Sequence, residues 1–132
     1  MQTMIEKATV LIEALPYIQK FRGHIVVVKF GGSAIEEKAG YESVLKDIAF
    51  MACVGLRPVV VHGGGKAISR RMQERGMRPN FVKGLRVTDE HSIEIVEEVL
   101  NREVNPELVR SLESMGATAR GIHGEDILKV VK

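Results

Sequence analysis

Apolar residues recur along this chain at two spacings, and the changes between them divide it into helices and strands. From about Thr3 to Lys20 the spacing is helical: Ala8, Leu11, Leu15 and Ile18 mark one face, and Met4, Ile5 and Ile12 widen it. Pro16 lies inside that stretch, so a kink or an end near Leu15 is expected, because proline lacks the N–H and crowds the preceding turn. The helix could pack on its own domain or dock on a neighbouring subunit. IVVVKF, residues 25–30, is a β-branched run of buried-strand type. It runs into Gly31, Gly32 and Ser33. A helix from about Glu36 to Val54 follows, with Val44, Leu45, Ile48, Ala49, Met51 and Ala52 as apolar positions and Gly55 as its stop. RPVVVH, residues 57–62, is a second strand; it leads into Gly63, Gly64 and Gly65 and a helix to about Arg75.

Strand, glycine turn and helix, repeated, predict a βαβ arrangement with a largely parallel sheet covered by helices and right-handed crossovers. Both glycine turns then fall at the carboxyl ends of their strands, where open α/β sheets bind ligands. Further on, Phe81-Val82 and Leu85-Arg86-Val87 flank Lys83-Gly84 as a small hairpin. Thr88 or Asp89 can cap a helix through Ile93, Val96, Val99 and Leu100. Asn105-Pro106 reads as an N-cap followed by proline at the first helical position, opening a helix to about Met115 that Gly116 stops. ATARGI is expected as a further strand, and ILKVV as the start of a last extended element. Ending there, with no closing helix or polar tail, the chain reads as part of a longer polypeptide. No internal repeat or linker appears, so it reads as one lobe: residues 1–22 as an amino-terminal helix with a possible oligomerising role, and residues 23–132 as the binding lobe.

Composition narrows the classes. The 132 residues suffice for one core, which must rest on Val, Ile, Leu, Met and Ala because aromatics are scarce and Trp is absent. A net charge of +2 is too small to argue for nucleic acid, and the basic stretch at Arg70, Arg71 and Arg75 also holds Glu74, as a solvated helix face does. The single cysteine, Cys53, sits in an apolar stretch and reads as a buried structural thiol. No run reaches membrane-spanning length and the first residues lack the pattern of a secretory signal, so a cytoplasmic location is the expectation. The four histidines have no metal-ligand spacing, and no metal site is expected.

Three places carry candidate chemistry. In KFGGS, residues 29–33, paired glycines after a strand let a ligand approach the backbone, and Lys29 could meet phosphoryl oxygens; turn glycines with a snorkelling lysine are the alternative. In HGGGKAI, residues 62–68, three successive glycines exceed what a simple connection needs and suit an anion or backbone-recognition site, although neither the GxxxxGK[ST] nor the GxGxxG pattern is present. His62 could be a base or a strand-end residue held by hydrogen bonds. Arg86, between Leu85 and Val87, wants an acidic partner, either a substrate carboxylate or Asp89 or Glu90.

KFGGS, VHGGGKAI and KGLRVTD, in this order, closely resemble the N-acetyl-L-glutamate kinases of the amino acid kinase superfamily, over essentially the whole chain but only about the first half of such an enzyme. The resemblance implies an α/β fold, a three-layer sandwich with a mainly parallel central sheet, incomplete at its carboxyl end. It implies a phosphotransferase of arginine biosynthesis that uses ATP with Mg2+ to phosphorylate the side-chain carboxylate of N-acetyl-L-glutamate. Lys29 would stabilise the transferring group as the catalytic lysine, and Gly31 and Gly32 would line the transfer site. Gly64 and Gly65 would contact substrate, and Arg86 would clamp its α-carboxylate. VLIEALPYIQKF looks like the amino-terminal helix with which arginine-sensitive members interlace dimers into hexamers, so a homo-oligomer is implied; KFGGS differs from their common KYGGN. The family's ATP lobe and second catalytic lysine have no counterpart here. Little activity is therefore expected of the chain alone, and an ATP-lobe partner chain is possible. The alternatives are a non-catalytic acyl-amino-acid-binding or oligomerisation module, or a kinase lobe for another carboxylate such as aspartate.

Overall fold

A computed structural model of the chain describes residues 2–31, 38–129 and 131. Strands β1 (Ile25–Phe30) and β2 (Arg57–His62) pair in parallel, from Ile25 opposite Arg57 to Phe30 opposite His62. Helix α2 (Lys38–Cys53) lies between them in sequence, and Gly55, at φ +93°, supplies the left-handed turn back into β2. The two-residue period of the strands sorts their side chains onto two faces. Val28, Phe30 and Val60 face a core formed with Leu45 and Ile48 of α2 and Leu108 and Leu112 of α5 (Asn105–Ser114). Ile25, Val27, Val59 and Val61 point the other way and are exposed. The α/β class with a parallel sheet and helices packed on it is therefore present, and among the described residues nothing covers the second face. The scarcity of aromatics does not make this core purely aliphatic: Phe30 is 1% exposed and meets the Tyr41 ring at 5.5 Å.

Helix α1 (Gln2–Phe21) does not end at Leu15. Pro16 withdraws a donor from the Ile12 carbonyl, and on a helix as exposed as this one water can replace it. The apolar residues Met4, Ile5, Val10, Leu11, Ile12, Leu15 and Tyr17 are all exposed, so most of the apolar surface of α1 is not covered by the described residues. No helix among the described residues is long and apolar enough to cross a membrane.

The second core cluster joins α3 (Gly65–Glu74) to α4 (Glu90–Glu98) through Ile68, Met72, Ile95 and Val99. Ile93, expected on this face, is exposed, and its place is taken by Ser92 and Ile95. Ser92 is buried because it completes a reciprocal cap: the Ser92 N–H donates to Asp89 Oδ1 at 2.8 Å, and the Asp89 N–H donates to Ser92 Oγ at 2.8 Å. Ion pairs tie α3 to α4 and to the residues just after it at the surface. Arg71 meets Glu98 at 3.1 Å and Glu103 at 3.0 Å, Arg75 meets Glu98 at 2.6 Å, and Arg70 pairs with Glu103. The arginine-rich helix face is thus cross-braced as well as solvated.

The expected restart at Asn105 does not occur. Between α4 and α5 the backbone stays helical through a π-helical segment, Val99–Val104, and the Asn105 N–H bonds to the Leu100 carbonyl five residues back. The widened turn gives room to Pro106, which has no N–H to offer and whose ring would press on the carbonyl of Arg102 in a regular α-helix. Asn105 is itself in the right-handed helical conformation, so it is not an N-cap. Gly116, at φ +85°, closes α5.

Residues 117–122 are not a strand. Ala117 and Ala119 turn inward onto the first core cluster, an alternation of extended type, but no ladder forms with β1 or β2. ILKVV also lacks a described strand: Ile127 ends the short helix α6 (Gly124–Ile127), Leu128 is extended, and Val130 lies outside the described residues. Cys53, expected to be buried, is exposed: it ends α2 on the side away from the core, whereas Met51 in the same turn packs on the first cluster. The Lys83-Gly84 hairpin forms as expected, β3 (Phe81–Val82) against β4 (Leu85–Arg86), with both turn residues at positive φ, 51° and 80°.

The turn from β2 into α3 is set by a close approach. A Cβ on Gly64 would stand 2.9 Å from Leu100 Cδ2 and 3.3 Å from Val104 Cγ2, whereas one on Gly65 would meet nothing within 4 Å. Gly64→Ala should lower stability by about 1–2 kcal/mol, since Val104 is stiff at χ1, and Gly65→Ala should change it by less than about 0.5 kcal/mol; urea unfolding of both variants checks this. The hydrogen bonds from Ser92, side chain first and then backbone, hold the Asp89 carboxyl below its ordinary range. Its contribution is therefore present above that range and lost as pH falls through it. Asp89→Asn keeps a capping oxygen without the titration, so stability measured against pH should fall less steeply below about pH 4 in the variant than in the parent.

Candidate functional site

Both glycine turns leave the same edge of the sheet. Phe30 and His62 are register partners at the ends of β1 and β2, and the Gly63 N–H donates to the Phe30 carbonyl at 3.2 Å, so the second turn starts against the end of the first strand. Gly31 comes directly after, its Cα close enough to the second turn that an added Cβ would lie 3.9 Å from Gly63 N. Gly32 and Ser33 lie outside the described residues. Lys29 is opposite Val61 on the exposed face of the sheet, two residues before Gly31, and makes no hydrogen bond or ion pair with the described residues.

The three glycines of the second turn differ in what holds them. Gly64 is required by its contact with Leu100 and Val104, a packing reason that the sequence did not reveal. Gly63 and Gly65 face open space where a side chain would stand, which is what the approach of another molecule to the backbone needs. Gly65 also opens α3, whose first turn contains no acidic residue, so the positive end of the helix is not neutralised from within.

Arg86 reaches this turn from the hairpin. Its Nη2 donates to the Gly65 carbonyl at 2.9 Å and to Ser69 Oγ at 2.7 Å, Nη1 lies 3.1 Å from Met72 Sδ, and the guanidinium sits 4.7 Å from the centre of the Phe81 ring on the paired strand. No ion pair to Asp89 or Glu90 forms among the described residues: Asp89 is spent on capping α4. The structure therefore brings Gly64, Gly65 and Arg86 together, sets Gly31 beside them, and leaves Lys29 on the adjoining face without direct contact to Arg86. The arrangement presents open backbone and fixed positive charge, and can receive a carboxylate or phosphoryl group.

Sequence reasoning did not single out Ser69 or Gly121, and it read Asn105 only as a helix cap. Ser69 lies one helical turn after Gly65, and its hydroxyl donates to the Gly65 carbonyl at 2.8 Å, a spacing legible in principle. Asn105 points its carboxamide at His62 Nε2, 3.3 Å away, and at the Ile122 carbonyl, 3.4 Å away. Gly121 is crowded against the Asn105 side chain, and its reason for being glycine is visible only in three dimensions. Among the described residues no group of three or more His, Cys, Asp or Glu is arranged to hold a metal ion.

Comparison with known proteins identifies the family to which the chain belongs. The model of the amino acid kinase family matches residues 24–131. The chain is 48% identical to an acetylglutamate kinase of Campylobacter jejuni, covering 100% of this chain and 48% of that protein. It is 50% identical to one of Acaryochloris marina, covering 92% and 43%. The chain thus spans about half the length of these curated relatives. Among solved structures it resembles N-acetylglutamate synthase from Neisseria gonorrhoeae complexed with coenzyme A and N-acetyl-glutamate, at a TM-score of 0.59 and 27% identity over 82% of this chain and 24% of that one. The smu.665 protein of Streptococcus mutans also matches, at a TM-score of 0.59 and 31% identity over 73% of this chain and 38% of that one. The chain belongs to the amino acid kinase family, as a lobe closely related to acetylglutamate kinase that covers only part of such an enzyme.

Proposed function

We propose that this chain is the acceptor-binding lobe of a phosphotransferase that carries the γ-phosphoryl group of ATP to the side-chain carboxylate of N-acetyl-L-glutamate, a cytoplasmic step of arginine biosynthesis. The observation that carries the reading is the junction of the two glycine turns, with Arg86 fastened to the second of them at Gly65. Arg86 orients the acceptor through its α-carboxylate. Gly64 and Gly65 offer backbone to the substrate, Gly31 and Gly32 line the transfer site, and Lys29 supplies charge where the transferring oxygens gather. A carboxylate oxygen of the acceptor provides the electron pair, the new bond is an acyl phosphate, and ADP leaves. No nucleophile from the protein is needed. Mg2+ would be carried by the nucleotide and neutralise phosphate charge; the features of this chain, Lys29 and the open glycines, suit the transferring phosphoryl oxygens and would not ligate the metal. The nucleotide's own site belongs to the part of the enzyme that this chain does not span.

Arg86 is already engaged, and that shapes the test. Both hydrogens of Nη2 are donated, to Gly65 and Ser69, so a bidentate grip on a carboxylate must exchange one of these bonds. The Ser69 hydroxyl is the replaceable partner. In calorimetric titration of N-acetyl-L-glutamate into the folded chain, saturable binding is expected. Arg86→Lys should weaken it by about tenfold and Arg86→Ala by about ten- to a hundredfold, while Ser69→Ala leaves it unchanged or tighter. Equal binding by wild type and Arg86→Ala would remove the clamp from the reading.

The bare apolar surface of α1 supports a homo-oligomer assembled through this helix. Replacing Leu11 and Leu15 with Glu should lower the mass measured by sedimentation while leaving far-ultraviolet dichroism unchanged. An unaltered mass would assign assembly to another surface.

A further inference from the structure

The side chain of Asn105 is not used where the sequence would place it, as a helix cap, and the use the structure makes of it reaches the glycine turn. The π-helical segment delivers Asn105 beside His62, the last residue of β2, and its carboxamide lies against two other groups. One is the Ile122 carbonyl, 3.4 Å from Nδ2. A carbonyl can only accept, so the amide nitrogen is the atom that faces this way and the amide orientation is decided. The second group is His62 Nε2, 3.3 Å from the same nitrogen. A donor pointed at Nε2 makes that nitrogen the acceptor, and in a neutral imidazole the proton must then sit on Nδ1. Nδ1 in turn lies 3.4 Å from the Gly63 carbonyl, the acceptor that this tautomer requires.

Each step of the relay constrains the next: Ile122 orients Asn105, Asn105 selects the tautomer of His62, and His62 holds the Gly63 carbonyl. The Gly63–Gly64 peptide is planar and trans, so a carbonyl held toward His62 turns the Gly64 N–H to the opposite side. Gly121 belongs to the same arrangement, because any side chain there would collide with Asn105. A second contact comes from the same short segment, since Leu100 and Val104 pack on Gly64. The polar and the apolar restraints on the turn therefore have one source.

We propose that Asn105 is a positioning residue for the glycine turn: through the Nδ1–H tautomer of His62 it fixes the orientation of the Gly63–Gly64 peptide that the acceptor meets. The tautomer and peptide orientation stand on geometry alone, and the effect on the acceptor rests on the function proposed above. The first measurement is long-range ¹H–¹⁵N correlation of the His62 ring in the 132-residue chain, at a pH where the imidazole is neutral. The expected result is a protonated Nδ1 and a bare Nε2, the opposite of the form that predominates for free histidine. Asn105→Ala should shift the ring toward Nε2–H and displace the Gly64 amide resonance. Asn105→Asp, which can only accept, should favour a proton on Nε2 more strongly. A merely structural asparagine would move neither the ring tautomer nor, selectively, the Gly64 amide.

An Nε2–H tautomer in the wild type overturns the proposal by itself, so the test survives a variant that fails to fold. An unchanged ring and Gly64 amide in Asn105→Ala overturns it as well. If N-acetyl-L-glutamate binds the wild type, its Kd should rise by about fivefold in Asn105→Ala, the worth of one neutral hydrogen bond, and an unchanged Kd would refute the link to the acceptor. Absence of binding by every form, with the tautomer as expected, would count against the proposed substrate and leave the relay established.

Discussion

The fit of Gly64 against Leu100 and Val104 is the contact on which the rest of this lobe depends. It brings the exit of β2 against the π-helical segment so closely that a side chain at Gly64 would have to displace Leu100 and Val104. Val104 packs on both core clusters, the one beneath the sheet and the one between α3 and α4. The glycine turn is thus seated where the two clusters meet. The unusual helical segment is what makes that seating possible, because a regular α-helix through Pro106 would press the proline ring on a backbone carbonyl. One strained-looking sequence, VLNREVNP, is therefore reconciled by a wider turn that also packs against the glycine turn.

Around that contact the lobe divides into a braced half and a bare half. Helices α2 and α5 bury Phe30 and partly cover Val28 and Val60, and the Arg70, Arg71 and Arg75 pairs with Glu98 and Glu103 join α3 to the end of α4 and the π-helical segment. Individually such exposed pairs contribute little. As a network joining these elements they restrict how α3, and with it Gly65, can move relative to the π-helical segment. The opposite face of the sheet carries Ile25, Val27, Val59 and Val61 in the open, and α1 extends with most of its apolar residues uncovered. Apolar surface of this extent is suited to contact with further protein, in keeping with a lobe that spans about half the length of its relatives.

The chemistry stems from the same division. The positive elements, Arg86 and the uncapped positive end of α3, are held by backbone and side-chain bonds on the braced side, whereas Lys29 stands on the bare side of the sheet. An anion at the strand ends would have the fastened guanidinium of Arg86 on one side and the exposed Lys29 on the other. The bonds from Arg86 to Gly65 and Ser69 hold its charge in one place. Preorganisation of this kind reduces the ordering cost of binding.

Local physics was legible in the sequence wherever a residue's conformation is dictated by its neighbours. The β-branched runs became β1 and β2, Gly55 and Gly116 took the left-handed conformation that ends a helix, Lys83-Gly84 made the hairpin turn, and Asp89 capped α4. The motifs around Gly31, Gly64 and Arg86 were legible for the same reason, since short glycine turns and a guarded arginine are local features. What only the tertiary structure decided were the matters of partnership. Asn105 looked like a helix cap because its neighbour is proline, but the backbone stayed helical, which left its side chain for His62 and Ile122. ATARGI had the alternation of a strand, and without a neighbouring ladder it remained a packed loop. Gly64 read as a ligand-facing glycine, and the structure gives it a packing role that the sequence did not show, against Val104 where two cores touch. A sequence states which conformations each segment prefers; which groups then lie opposite one another depends on long-range packing, which no local window contains.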